Sequence, residues 1–438
     1  MKEPVVVFFP EGAYGPTNNC VGIGSILRAR GMRVVFVVEE SFAGTLEARG
    51  FEEALMRLQP APEVQEQPGQ FWKDFIRDTA PEFRKPTIEQ LSSFMRPTWQ
   101  ALIDGSMYVN PRLTEIIDQI GPDVIVEDNV VAFPAVVASG TPWVRMLSCN
   151  PLELKDPGVP PAYSGYPTDD PSDWEGFRRQ YRRTHVDMWA NFNEFVTASG
   201  CPPLPELDFI HGSPYLNLYM YPSEADYRRT VPLDSTWHRI DSSVRETEPS
   251  FTIPPQLDAR EGRLIYLSLG SLGSADVELM QRLIDTLADT PDRVIVSMGP
   301  QYELLRLADN MWGAEFLPQP SILPLVDVVI THGGNNTVTE CLHFGRPMVV
   351  LPLFWDQHDN AQRMEELGFG VRLPTYEFEP ADLVGAIGRL LADQDAAARL
   401  SATASRLRID RGVVRAADLI ETVAREHAPV PADAGRDR

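Results

Sequence analysis

The chain alternates short apolar runs with stretches in which apolar residues recur every three to four positions. In the first 150 residues the apolar runs lie at 5–9, 33–38, 123–127 and 142–147. Helical periodicity separates them, for instance at 19–30 and at about 88–119. Short apolar runs between helical segments predict buried parallel strands with helices packed on both faces of the sheet.

The same alternation restarts after residue 262. Strands are predicted at 263–271, 293–299, 327–334 and 347–353. Helices are predicted near 275–289, up to about 344 and after 356. An amphipathic pattern at 412–427 predicts a terminal helix, followed by a frayed tail.

The chain between the two alternating parts has a different composition. Residues 150–230 are Pro-rich and then helical, which favours an insertion packed over a pocket. Residues 237–262 are polar and contain several prolines, which is typical of a linker. We therefore predict a first domain at 1–236, a second at 263–411, and a C-terminal helix and tail at 412–438. A chain of 438 residues is also too long for one ordinary core.

Charge and composition exclude several classes of protein. The net charge is −23 and no block is rich in Lys or Arg, so a nucleic-acid partner is not expected, although helix N-termini could still hold an anionic cofactor. The apolar runs are too short to span a membrane, and the N-terminus lacks the features of a signal peptide, which predicts a cytoplasmic protein. The four cysteines are far apart, which favours reduced thiols over a zinc site or a disulfide framework: Cys20, Cys149, Cys201 and Cys341.

The richest chemistry lies in "DVVITHGGNNTVTECLHFG", residues 327–345. A buried strand here leads into a glycine turn and then a helix, whose free N–H groups would point back at the turn. Asn336 and Thr337 could cap that helix, and the glycines would let an anion approach the backbone. His332 could donate a hydrogen bond to a phosphate, and Glu340 lies where it could bind a ribose diol. After the next strand, Trp355, Asp356 and Gln357 offer groups suited to the hydroxyls of a hexose.

This stretch resembles the donor-binding signature of the UDP-glycosyltransferase family of GT-B glycosyltransferases. The family pattern is H-x-G-x-N-S/T-x-x-E, then G-x-P, then P-x-x-x-D-Q-x-x-N-A. It is matched by His332, Gly334, Asn336, Thr337, Glu340, Gly345, Pro347, Pro352, Asp356, Gln357, Asn360 and Ala361. The resemblance implies a GT-B fold, with two Rossmann-like domains facing each other across a cleft.

Two further segments extend the resemblance. "EFLPQPSILP" resembles the segment that binds the nucleoside, which places Phe316 under the uracil, with Leu317 and Gln319 beside it. "YLSLGSLG" resembles the first strand of the nucleotide domain, so Gly270 and Ser271 would touch the diphosphate. The resemblance implies an inverting, metal-independent transfer of a sugar from a UDP-sugar, with glucose favoured by the Asp-Gln pair. It implies no tightly bound cofactor.

The catalytic base of the family is missing from its usual position. Ungapped counting from the first helix puts Pro16 where relatives have a histidine, and all seven histidines lie beyond residue 184. The resemblance also places Asp128 at the position of the histidine's partner, at a strand end where burial could raise its pKa. Asp128 could instead cap a helix at 130–138. Glu11 is a second candidate base and His185, in the insertion, a third.

The acceptor can be predicted only as a chemical class. Aromatic residues in the first domain favour a hydrophobic aromatic or polyketide-like small molecule, although aromatic residues at helical spacing are also typical of a core. The predicted pocket residues are Tyr14, Pro16, Phe75, Phe94 and Trp99. Three other functions remain open: a dTDP-deoxysugar transferase, a catalytically silent binding protein, and a NAD- or other nucleotide-dependent α/β enzyme, although the glycine fingerprint of the last is missing. A monomer or weak homodimer is expected.

Overall fold

The computed structural model describes residues 3–12, 14–61, 74 and 77–432. These residues form two parallel sheets. The strands of the first sheet are β1 Val5–Pro10, β2 Arg33–Glu39, β3 Glu52–Met56, β4 Val124–Asp128, β5 Trp143–Leu147, β6 Leu216–Met220 and β7 Trp237–Ile240. Those of the second are β8 Leu264–Ser268, β9 Arg293–Ser297, β10 Met311–Ala314, β11 Val328–Thr331, β12 Met348–Val350 and β13 Gly370–Arg372.

Helices of ten or more residues in the described chain cover the sheets. They are α1 Tyr14–Ala29, α2 Arg96–Ile120, α3 Trp174–Ala198, α4 Val277–Ala288, α5 Asn335–Phe344, α6 Gln357–Glu366, α7 Pro380–Ala392, α8 Gln394–Asp410 and α9 Gly412–Glu426. Single-turn α-helices lie at Thr87–Gln90, Pro134–Val137, Pro255–Asp258, Gly270–Gly273 and Gln319–Ile322. Local signals set several starts: Asp276 accepts a hydrogen bond from the Leu279 amide at the start of α4, and Glu379 and Asp382 form a capping box at α7.

The order of strands within each sheet determines where a ligand can bind. The first sheet runs β3-β2-β1-β4-β5-β6-β7 and the second β10-β9-β8-β11-β12-β13. In each sheet the chain therefore changes direction at one point, between β1 and β4 and between β8 and β11. In open α/β sheets ligands bind beyond the carboxyl ends of the strands at this point.

The structure differs from the predicted domain boundaries in two places. β7 lies inside the predicted linker at 237–262, and it pairs with β6 in the register Leu218 to His238. β6 lies inside the predicted insertion at 150–230, of which the long helix is α3. Both strands belong to the first sheet, so that domain extends through residue 240.

The C-terminal helix belongs to the core of the other domain. α9 follows the second domain in sequence, but its apolar face packs into the first, where Ile420 and Val423 share a cluster with Ile23 of α1. Arg30, directly after α1, forms ion pairs with Asp418 and Glu421 on the outer side of α9, at 2.6 and 2.9 Å.

Candidate active site

Two sheet edges hold the predicted site residues. At the first-domain edge, Glu11 follows β1 and Asp128 ends β4, and the Glu11 amide donates to the Asp128 carbonyl at 2.8 Å. At the second-domain edge, Gly270 begins the turn after β8 and His332 follows β11. Each edge lies at the point where its sheet changes direction, so both are binding positions of the fold.

The imidazole of His332 is packed between two glycines. A Cβ on Gly270 would lie 2.7 Å from the ring, and one on Gly334 would lie 2.6 Å from its Nε2 atom. Gly270 also has a φ of +71°, which favours glycine. Burial lowers the pKa of His332 to about 4, although a hydrogen bond from the ring to the Ser268 backbone opposes this, so the ring is neutral at pH 7.

The start of α5 differs from its prediction in one respect. Gly334 is its N-cap, with no side chain capping the helix, so Asn336 and Thr337 do not serve as caps. The side chain of Asn336 instead crosses to the first domain, where its Nδ2 donates to the Gly15 carbonyl at 2.9 Å. Thr337 Oγ1 accepts from Gln319 Nε2 at 3.2 Å. The first turn of α5 therefore keeps its N–H groups facing the glycine turn, where they can bind an anion.

Glu340 lies at the centre of a polar cluster beside α5. Gln319 donates to its Oε2 atom at 2.6 Å, and Arg245 donates to its Oε1 atom at 3.0 Å. Burial raises the pKa of the Glu340 carboxyl, and the charge of Arg245 lowers it. The sequence predicted Gln319 and Glu340 here, but not Arg245.

The predicted nucleoside platform lies in the open part of the cleft. Phe316 is 50% exposed, and Leu317 packs at the margin of the second domain's core. Tyr14, predicted to line the acceptor pocket, contacts Phe316 across the cleft, with ring centroids 5.7 Å apart.

The predicted sugar-binding loop after β12 is stabilised by hydrogen bonds between its backbone and its own Gln357 side chain. Gln357 Oε1 accepts from the Leu353 and Phe354 amides at 3.0 and 3.2 Å. Trp355 has a φ of +59°, an uncommon conformation for a bulky residue. The carboxylate of Asp356 accepts from the Asn150 amide of the first domain at 2.8 Å, and burial raises its pKa to about 7.

A chain of hydrogen bonds joins the two edges. Ser148 Oγ donates to Asp128 Oδ2 at 2.6 Å and accepts from Asn19 Nδ2 at 2.8 Å. The same Asn19 nitrogen donates to Asn336 Oδ1 at 2.9 Å. Asp128 therefore does not cap a helix: the nearby helical turn is Pro134–Val137 and its N-cap is Phe133.

The two candidate carboxylates differ in ionisation. Burial raises the pKa of Asp128 to about 6, although the Ser148 hydrogen bond opposes this. Burial and the charge of Asp128 raise the pKa of Glu11 to about 8. Glu11 lines a small pocket with Thr17, Asn129 and other residues of this edge. At pH 7 Asp128 is mostly ionised and Glu11 mostly protonated.

Other predicted residues lie in packed surroundings. Phe94 is buried against Phe354, and Trp99 is buried against Trp355, with centroids 5.4 and 5.2 Å apart. These two residues therefore support the loop after β12. His185 is buried against Tyr181, and burial lowers its pKa to about 4. Pro16 lies in the first turn of α1, and Phe75 lies outside the described residues.

Comparison with known proteins identifies this arrangement. The family model for UDP-glucuronosyl and UDP-glucosyl transferases matches residues 257–426. The NDP-glycosyltransferase YjiC of Bacillus subtilis is 23% identical over 98% of this chain and 99% of its own length. The oleandomycin glycosyltransferase of Streptomyces antibioticus is 24% identical over 95% of this chain and 90% of its own. The chain is a glycosyltransferase similar to those of family 1.

Solved structures confirm the GT-B fold of this glycosyltransferase. The glycosyltransferase of kitacinnamycin superposes with a TM-score of 0.69 at 23% identity, covering 98% of this chain and 100% of its own. The calicheamicin glycosyltransferase CalG4 gives a TM-score of 0.66 at 22% identity, over 98% and 100% of the two chains.

The part of the glycosyltransferase that the structure describes has neither a metal-binding cluster nor a membrane-spanning helix. No group of three His, Cys, Asp or Glu side chains there is arranged to hold a metal ion. No helix there is long and apolar enough to cross a bilayer.

Sequence reasoning missed several polar residues at the site of the glycosyltransferase. Ser148 directly follows β5, next to β4, and this strand-end position could have indicated it. Asn19 lies one helical turn after Gly15 on the face of α1 that meets the second domain. Asn150 and Arg245 lie in irregular segments, where no local pattern marks them.

Proposed function

We propose that this glycosyltransferase transfers glucose from UDP-glucose to a hydroxyl of a hydrophobic aromatic or polyketide-like small molecule, with inversion and without a metal ion. The observation that carries the proposal is the pairing of two edges across one cleft. One offers a neutral histidine and a helix N-terminus, and the other offers a carboxylate that is ionised at neutral pH.

The second-domain edge would stabilise the leaving diphosphate. The first turn of α5 would donate backbone N–H groups to the phosphate oxygens, and the neutral ring of His332 would pack beside them. Gly270, Ser271 and Thr337 border the same space. Because these donors are held in place before the ligand binds, they stabilise the charge that develops as the sugar leaves.

Asp128 would be the catalytic base. The acceptor hydroxyl must lose a proton as its oxygen attacks the anomeric carbon, and a base with a pKa near the working pH does this best. Asp128, with its pKa raised to about 6, is ionised at pH 7 and still basic enough to take the proton. Glu11, with its pKa raised to about 8, is protonated there and fits a hydrogen-bonding role beside the acceptor.

The donor is proposed from the side chains around α5 and α6. Glu340 and Gln319 would bind the ribose, Phe316 and Leu317 would contact the base, and Asp356 and Gln357 would bind the sugar. One solved relative, the glycosyltransferase VinC, was crystallised in complex with dTDP, which makes a dTDP-sugar the second candidate donor. Its TM-score with this chain is 0.64 at 17% identity, so it carries the fold alone.

The acceptor class is proposed from the aromatic lining and from the named relatives. Trp99 and Phe94 support the cleft beside the sugar loop. Similar proteins include the oleandomycin and zeaxanthin glycosyltransferases, whose names give hydrophobic natural products.

Donor turnover tests the proposal. The purified protein is incubated with UDP-glucose, or with dTDP-glucose, and a panel of phenolic and macrolide acceptors, with EDTA present. A mass gain of one hexose on an acceptor, faster with UDP-glucose, is expected. Transfer from dTDP-glucose alone, or transfer abolished by EDTA, would overturn the corresponding part of the proposal. Nucleotide binding without transfer to any acceptor would contradict the acceptor class.

A further inference from the structure

An arginine of the segment between the domains contacts the proposed ribose-binding carboxylate. Arg245 lies after β7, outside both sheets, and its side chain is only 10% exposed. Its Nη1 atom donates to Glu340 Oε1 at 3.0 Å, and its Nε atom donates to Glu248 Oε1 at 2.6 Å. The guanidinium therefore joins a residue of α5 to one of the connecting segment.

The position of Arg245 is fixed by its backbone as well as its side chain. Its backbone and Cβ pack on Gly22 of α1, where an added Cβ would lie 3.2 Å from the Arg245 Cβ and 3.7 Å from Val413 Cγ1. Helix α1 of the first domain thus lies against the base of the Arg245 side chain. The ion pairs with Glu248 and Glu340 hold its guanidinium.

The carboxylate of Glu340 can accept further hydrogen bonds beyond those from Arg245 and Gln319. Arg245 occupies one lone pair of Oε1, and Gln319 occupies one of Oε2 at 2.6 Å. An ionised carboxylate has about four acceptor positions and no donor, so each oxygen can still accept one hydroxyl. Adjacent hydroxyls on a ribose offer two such donors, whereas a 2′-deoxyribose offers one.

We propose that Arg245 is a positioning residue that keeps Glu340 ionised and oriented to accept both ribose hydroxyls, and so makes the site selective for ribonucleoside diphosphates. Burial disfavours the charged carboxylate, and the arginine is the cation that opposes this effect. Without the arginine, Glu340 would take a proton or turn away, and the second hydroxyl would lose its acceptor. This inference rests on the proposed function, because it assumes a nucleotide beside α5.

The experiment compares the binding of two nucleotides by calorimetry. UDP and 2′-deoxyuridine diphosphate differ only in the 2′ hydroxyl. The wild type is expected to bind UDP at least about tenfold more tightly, since a hydrogen bond to a charged group is lost with the deoxy form. The Arg245→Met variant is expected to bind UDP about tenfold more weakly than the wild type does. Its affinities for UDP and for 2′-deoxyuridine diphosphate should therefore be nearly equal. Arg245→Lys keeps the positive charge and should restore part of the preference for UDP over the deoxy form.

A matched control separates positioning from stability. Arg263 forms a similar pair with Asp292 at 2.7 Å, at the opposite end of β8. Arg263→Met should lower the melting temperature and leave the ratio of affinities unchanged. If Arg245→Met misfolds, Arg245→Lys still decides. A preference for UDP that lies between one and the wild-type value would support the proposal, and a full wild-type preference would overturn the orienting role of the guanidinium.

The failure of this inference differs from failure of the proposed function. A wild type that transfers sugar from UDP-glucose, together with an Arg245→Met variant that keeps the full ratio, would overturn the role of Arg245 alone. A wild type that binds neither nucleotide would overturn the proposed function itself.

Discussion

The two edges of the cleft are built from different kinds of residue. At the second-domain edge, glycines, a neutral histidine and a helix N-terminus leave a space lined largely by backbone and uncharged groups. At the first-domain edge, buried carboxylates are concentrated: Glu11, Glu127 and Asp128 all have pKa values raised by burial. In the proposed function, one edge would bind the negatively charged diphosphate, and the other would accept a proton.

Because of this difference, we expect the two edges to tolerate different kinds of amino-acid substitution. The second-domain edge depends on shape, because added atoms at Gly270 or Gly334 would displace His332. The first-domain edge depends on ionisation, which a single hydrogen bond such as that from Ser148 can tune. Changes of shape and changes of charge should therefore separate nucleotide binding from transfer.

The largest expected effect comes from removing the charge of Asp128. Asp128→Asn should lower kcat by about 10³-fold, because general-base catalysis contributes on this order. UDP affinity should stay within about twofold, since the nucleotide would lie at the other edge. Initial rates and UDP calorimetry on the same preparation measure both.

The matched variant is Glu11→Gln, which replaces a mostly protonated carboxyl with an amide of the same shape. It should retain transfer within about tenfold. Full activity in Asp128→Asn together with a large loss in Glu11→Gln would exchange the roles of the two carboxyls.

A smaller effect is expected from adding one methyl group at the second-domain edge. Gly334→Ala would force the His332 ring aside, and overpacking of this kind should lower the stability by about 1–3 kcal/mol. Because the displaced ring would also disturb the proposed diphosphate site, UDP affinity should fall by about tenfold, the equivalent of about one hydrogen bond. The control is Gly388→Ala in α7, where an added Cβ has no atom within 4 Å. That variant should bind UDP normally and be more stable by about 0.5–1 kcal/mol. Normal UDP binding by Gly334→Ala would contradict the role given to His332.

The smallest effect concerns the pH dependence of transfer. The Ser148 hydrogen bond favours the ionised form of Asp128, so Ser148→Ala should raise the pKa of that carboxyl above about 6. The charged groups around it, Glu11, Glu127 and Arg145, are unchanged. Because the base must be ionised, the acidic limb of kcat/KM should move up by about one pH unit, while rates at pH 9 stay near wild type.

Ser25→Ala is the control for this pH profile, since Ser25 in α1 donates to the Val21 carbonyl one turn earlier, away from Asp128. Its profile should match that of the wild type. An unmoved acidic limb in Ser148→Ala would show that Asp128 is not the titrating base.

The sequence predicted the structure best where residues that are consecutive in the chain determine it. The turn before α5 was predicted because a buried strand, two glycines and a helix are consecutive, and so was the position of His332. Strands with polar faces were missed: Glu52–Met56 and Trp237–Ile240 lie at opposite edges of the first sheet and are only partly buried. Half-exposed strands mix polar with apolar residues and so lose the apolar run on which the prediction depended.

The contacts that unite the site were not predictable from local pattern. Asn19 and Asn336 are separated by 317 positions. Arg245 and Glu340 are separated by 95. Neither pair is implied by helical or strand periodicity, since each depends on how the two domains meet. The family resemblance supplied the roles of the second-domain residues, but the partners of Asp128 required the structure.

The packing of α9 sets a constraint on the order in which the protein folds during synthesis. The first sheet leaves the ribosome early, yet Ile420 and Val423 complete the cluster around Ile23. The face of α1 that they cover must stay open to solvent until the whole second domain has been translated. Since exposed apolar surface promotes aggregation, we expect the nascent chain to be most prone to aggregate during this interval.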